Sequence, residues 1–314
     1  MSFAERPSSA RAIALKLSAV ASFVVMASCI KATAPTIPAG EAAFMRSLFA
    51  MPVILVWLAW RHDLANGLRT PRPLGHFWRG VIGTVAMLMG FAALGLLPLP
   101  QVTAIGYAAP VLTVVLAALF LGERIRIVRI SAVAMGLTGV TIVLWPDLVG
   151  TEAGEARTLG VLLALGSALL AATAQILVRR LVETEDTPAI VFYFSLSATL
   201  IALLTWPLGL FGEWAWPSPL QAVLLVSAGI LGGLGQIGMT AAYRYGDASM
   251  IAPFDYASML FAVLIGYAVF EEVPTGSTLL GAAVVIAAGI LIIWREARLG
   301  IRTERGRHRT TPQG

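Results

Sequence analysis

Two charges sit inside long apolar runs of this chain, Arg46 and Asp255. A charge at membrane depth costs at least ~2.5–3.5 kcal/mol on insertion scales, so each needs a reason to be there. Arg46 could meet an anionic group of a ligand, or it could reach the interface or pair with Glu41 on the same helix. Asp255 could exchange a proton or partner an amine, or it could bond a neighbouring helix as a structural carboxylate. The two are not expected to pair with each other. At about 1.5 Å per residue, their backbones lie roughly 13 Å apart in depth within a ~30 Å core.

A second group is polar without being charged: Gln175, Gln236, Tyr107, Tyr193, Tyr243 and Tyr256. Amides and phenols can orient a ligand in a cavity. They can equally bond between helices, because polar groups in lipid must find partners. Glu123 and Glu272 fall at the ends of apolar runs and read as helix caps or gate latches. Pro110 and Pro253 interrupt two of the runs, and proline removes a backbone hydrogen bond and kinks a helix. The glycines between 229 and 238 read as close helix packing.

Other chemistry is missing from the sequence. One cysteine, Cys29, and the scattered His62, His76 and His308 make no metal cluster. Phosphate-binding loops, His-Glu-x-x-His and Gly-x-Ser-x-Gly are absent, so neither an enzyme nor a resident cofactor is expected. No loop is long enough to hold an ATPase domain.

The elements that must position these residues are membrane helices. The chain has 314 residues, 58% hydrophobic and 12% charged, more apolar surface than a soluble core can hide. Ten runs of about 20 apolar residues predict spans. They cover 12–31, 41–60, 77–97, 101–121, 127–146, 158–179, 188–211, 219–243, 249–270 and 276–295. Strand alternation is absent, which excludes a β-barrel.

Charge gives direction. With the N-terminus inside, inner segments hold 18 arginines, and outer loops hold only Lys31 and Arg157. Both termini are therefore expected in the cytoplasm, and the chain in a bacterial inner (plasma) membrane. The net charge of +5 is spent on helix ends facing lipid headgroups, not on nucleic acid. Arg11, Lys16 and the apolar run after them could mimic a signal peptide, but that run is long for one. Removing it would leave the first half one helix short.

Residues 80–145 align with 229–294 at a constant offset. Gly80, Gly83, Tyr107, Glu123 and Trp145 fall on Gly229, Gly232, Tyr256, Glu272 and Trp294. Five spans per half is an odd number, so the second half enters from the opposite side. The expected fold is all-α and polytopic, ten transmembrane helices as two inverted five-helix repeats. Residues 1–147 form the first repeat, 158–295 the second, and 296–314 a basic tail expected to be disordered. Inverted repeats build secondary transporters with the substrate near the midplane. The two tryptophans read as interfacial anchors.

Leu97-Pro98-Leu99-Pro100-Gln101 leading to Pro110 and Phe120-Leu121-Gly122-Glu123 resembles the EamA-type carriers of the drug/metabolite transporter superfamily. So does Ala252-Pro253-Phe254-Asp255-Tyr256 leading to Glu272-Val273-Pro274, with Arg46 and Arg79-Gly80. The chain departs at Phe270-Glu271-Glu272, where Phe-Gly-Glu is more usual. The resemblance implies a secondary transporter of a small organic metabolite, with protons as a possible coupling ion. Export of an amino acid or related metabolite is the first expectation. Import of a vitamin or nucleoside-like compound, of riboflavin or S-adenosylmethionine type, and an uncoupled facilitator or channel stay open.

Overall fold

A computed structural model describes residues 9–61, 64, 67–121, 127–149, 154–181, 184–245 and 252–309. No strand occurs among these residues. The first half contains α1 (Ser9–Thr33), α2 (Ala39–Trp60), α3 (Pro73–Leu96), α4 (Leu99–Gly106), α5 (Ala108–Leu121) and α6 (Ile127–Val149). The second contains α7 (Glu155–Leu181), α8 (Thr187–Leu208), α9 (Pro219–Tyr245), a 3-10 segment (Ala252–Tyr256), α10 (Ala257–Phe270) and α11 (Gly276–Arg309). Six of these, α1, α2, α3, α7, α8 and α9, are long and apolar enough to cross a bilayer whole.

Two expected spans are broken. The fourth splits into α4 and α5 at Tyr107, and the ninth begins as 3-10 and becomes α-helical after Tyr256. Tyr107 and Tyr256 are repeat-related, so both halves break at the same place. The prolines explain it, although they do not align. Pro110 clashes with the carbonyl four residues earlier, that of Gly106, and ends α4 just ahead of Tyr107. Pro253 sits in the first turn of the 3-10 segment, where no donor is missed. One proline acts from downstream, the other from upstream.

Packing follows the inverted repeat. α1 packs on α9, and its repeat-mate α7 packs on α3. Likewise α2 on α9 is matched by α8 on α3. The pairs α2 with α8, α4 with α10 and α6 with α11 are each formed by repeat-mates and straddle the pseudo-twofold axis. The glycines of α9 allow two neighbours to approach. Gly229 and Gly233 face Phe49 and Val53 of α2, while Gly235 and Gly238 face Phe23 and Ala19 of α1.

One core, with Leu97, Ile105, Tyr107, Val143 and Val285, surrounds the first break. A second, with Ile30, Leu94, Leu99, Leu225 and Ala262, joins α1, α3, α9 and α10. Leu162, Leu200, Leu260, Leu264 and Leu280 point outward and are exposed, a belt that needs lipid rather than water. Trp145 and Trp294 are exposed close to the ends of their apolar stretches. The segment from residue 296, expected to be disordered, continues α11 as far as Arg309. Arg295-Glu296-Ala297-Arg298-Leu299 is a run of good helix formers.

Candidate functional site

The two breaks meet. The rings of Tyr107 and Tyr256 stand edge to face with centroids 5.2 Å apart. The Tyr107 hydroxyl donates to Ser258 Oγ at 2.6 Å, and Ser258 Oγ donates to the Asp255 carbonyl at 2.7 Å. The loosened backbone of the second half is thus held by a side chain of the first. Gly289 of α11 leaves room for the Tyr256 hydroxyl, which lies where a Cβ would stand. Interrupted helices in corresponding segments of two halves are the usual frame of a midplane site.

Ion pairs lie on either side of the breaks. Lys16 Nζ is 2.7 Å from Asp255 Oδ1, with the lysine fully buried and the carboxylate half exposed. Met239 Sδ is a further contact of Lys16 Nζ at 2.8 Å. At the other end of α1, Lys31 Nζ is 2.8 Å from Glu272 Oε1. Lys31 also donates to the carbonyls of Leu94 and Leu97 as α3 ends. Glu272 Oε2 accepts the Leu99 N–H as α4 begins, at 2.8 Å. A cation on the last carbonyls of α3 and an anion on the first N–H of α4 both suit the helix dipoles. Helix α1 is therefore clamped to the 3-10/α10 element at two heights, by charges from opposite halves.

Arg46 is 4% exposed and does not meet Asp255, as the depths predicted. It does not pair with Glu41 either, because Glu41 Oε2 accepts the Ala215 N–H at 3.0 Å. Arg46 Nε and Nη1 and Arg79 Nε and Nη1 are buried without a hydrogen-bond partner. The Arg79 guanidinium stacks 4.1 Å over the Phe194 ring.

The remaining candidates scatter. Tyr193 belongs to a cluster at the α2–α3 and α7–α8 turns, not to the breaks. Its hydroxyl donates to the Leu68 carbonyl at 2.9 Å, and its ring lies 4.8 Å from His76. In the same cluster Glu185 Oε1 accepts from Thr70 Oγ1 at 2.7 Å and from the Arg72 N–H at 2.9 Å. Glu185 Oε2 lies 3.4 Å from His76 Nε2, without hydrogen-bond geometry. Gln175 is exposed and Gln236 half-buried, and Pro110 is exposed. Glu123 and the side chains of Tyr243 and Pro253 lie outside the described residues.

Sequence reasoning missed Lys16, Lys31, Arg79 and Ser258 as site residues. A signal existed for the lysines. Lys16 and Asp255 stand at one depth from one face, and Lys31 and Glu272 at the other face.

Comparison with known proteins agrees with this architecture. Residues 10–145 and 158–294 each match the EamA-like transporter family. A pseudopaline exporter of Pseudomonas aeruginosa is 29% identical over 272 residues, covering 86% of this chain and 91% of that protein. A riboflavin transporter of Rhizobium johnstonii is 32% identical over 263 residues, 83% of each chain. An S-adenosylmethionine uptake transporter of Rickettsia felis is 30% identical over 258 residues, 82% of this chain and 84% of that protein. A solved crystal structure at 21% identity shares the fold, with a TM-score of 0.66 over 93% of this chain and 99% of that one. Broken repeat-mates held together across a pseudo-twofold axis, in a chain matching over both halves, make this an integral membrane transporter of the EamA-like transporter family.

Proposed function

We propose that the chain is a secondary carrier of a small organic metabolite that works by alternating access between its inverted halves. Export of an amino acid or related metabolite is the leading direction, with both termini in the cytoplasm. The observation that supports a carrier is the pair of clamps on α1. Lys16–Asp255 stands toward the face where α1 begins, and Lys31–Glu272 stands at the opposite face. A moving barrier needs one contact to open while the other holds. Protonation of Asp255 would release Lys16 and offers a route for proton coupling.

A pseudopaline exporter, a riboflavin transporter and an S-adenosylmethionine uptake transporter have similar sequences. Import of a vitamin or nucleoside-like compound is therefore the second reading. Counterflow in proteoliposomes tests the carrier. Saturable exchange that falls in Asp255→Asn and loses its pH dependence is expected. Linear, unsaturable flux without counterflow would replace the carrier by a channel.

A further inference from the structure

Arg46 and Arg79 form a buried pair of like charges with no carboxylate against them among the described residues. Arg46 comes from α2 and Arg79 from α3, and these two helices pack on each other. Buried guanidiniums normally carry a partner, since unsatisfied charge in a dry interior is costly. Here four N–H-bearing nitrogens, Nε and Nη1 of each arginine, lack one. Ser47 Oγ, next along α2, is also buried without a partner.

The surroundings make room for these groups. Gly232, midway along α9, lies so close to Arg46 that a Cβ there would stand 2.9 Å from Nε. Gly83, midway along α3, is its repeat-mate, and a Cβ there would meet the Arg79 guanidinium and stand 2.9 Å from Phe194. The two glycines thus occupy equivalent places in the two halves. Against one stands Arg46, and against the other Phe194 with Arg79 stacked upon it. The scaffold is pseudo-symmetric, but its charge is not. An asymmetric, uncompensated pair of planar cations at mid-helix height is what would hold one anionic end of a cargo.

We infer that the cargo is a small organic carboxylate, and that Arg46 and Arg79 hold its carboxylate group in the middle of the bundle. The inference rests on the carrier reading and adds the substrate class. Guanidinium is the group that suits it, because its fixed fork matches a carboxylate bidentately and lysine does not. Phe194 keeps the Arg79 plane in place, as stacking on an aromatic face does.

The test uses the purified full chain in lipid nanodiscs, with succinate and L-glutamate as carboxylate probes, and chloride and riboflavin as comparators. The carboxylates raise the melting temperature of the wild type in a saturable way. In Arg46→Gln and in Arg79→Gln the half-saturating concentration rises tenfold or more. Neither variant melts below the unliganded wild type, because each loses an unpartnered charge. Arg46→Lys keeps the charge and loses the fork, and the same tenfold weakening there separates recognition from folding. The inference is overturned by a wild type that no carboxylate stabilises, by chloride acting as well as succinate, or by variants that respond like the wild type. Saturable riboflavin counterflow with no carboxylate response overturns the substrate class and leaves the carrier intact. Absence of saturable counterflow with every probe removes the carrier reading itself.

Discussion

Lys16 and Asp255 form an ion pair of 2.7 Å between opposite halves of the molecule, with Lys16 wholly buried. Asp255→Ala takes the carboxylate from that buried ammonium, and because Asp255 is half exposed the expected cost is below the ~3–5 kcal/mol of a fully buried pair. Replacing both, as in Lys16→Met with Asp255→Leu, removes the buried charge and restores most of the loss. Denaturant melting of the four proteins in detergent gives the coupling energy. A coupling below about 0.5 kcal/mol would mean that the contact holds nothing.

Glu272 joins three elements, through Lys31 of α1 and the Leu99 N–H of α4. Glu272→Gln keeps an acceptor for Leu99 but loses the charge that Lys31 needs. The closed arrangement at that face should weaken relative to an open one. Cys29, the chain's single cysteine, lies buried two residues before Lys31 and reports on this opening without an engineered label. Its maleimide labelling should accelerate on the order of tenfold, the effect of ~1.4 kcal/mol on an equilibrium. Equal labelling rates in wild type and variant would show that the contact is not a gate.

Glu271 occupies the position where the resembling carriers more usually have glycine, and its backbone shows why glycine is usual. It caps α10 with φ of 56°, in the left-handed region. A side chain there costs roughly 1–2 kcal/mol, against the chain entropy that glycine adds to the unfolded state. Glu271→Gly should therefore stabilise the protein by up to about 1 kcal/mol. A lower melting temperature in the variant would assign the carboxylate a contact worth more than the strain.

Much of the architecture was legible because apolar run length acts on each helix separately. The ten runs recover every described helix to within a few residues at most ends, and Tyr107 with Tyr256 was legible as a repeat-related pair. What stayed hidden depends on which helices are neighbours. Lys16 and Asp255 share a depth, but only the packing of α1 beside the 3-10/α10 element brings them together. Arg79 read as a charge at the inner end of its span because hydropathy starts that span at residue 77. Pro73 at the first helical position starts α3 a turn earlier and carries Arg79 inside. The break at Tyr107 rather than at Pro110 follows from where the proline ring clashes, four residues back.

Glu185 ties the α7–α8 turn to the α2–α3 turn and should make stability depend on acid. Burial pushes its carboxyl up. The Thr70 hydroxyl, His76 and the Arg72 N–H act the other way, outweigh it, and hold the group below the usual carboxylate range. The folded pKa is thus the lower one, so the unfolded chain binds the proton first. The stabilisation is complete above the unfolded glutamate value of about 4.3 and is lost as pH falls through the folded value. Glu185→Gln keeps an acceptor for Thr70 and Arg72 but cannot titrate. It should cost about 1.5–3 kcal/mol at neutral pH, the range for a hydrogen bond to a charged group, and flatten the acid limb. Melting temperatures from pH 7 down to about 3 check this, and parallel curves for wild type and variant across that range would place the acid sensitivity elsewhere.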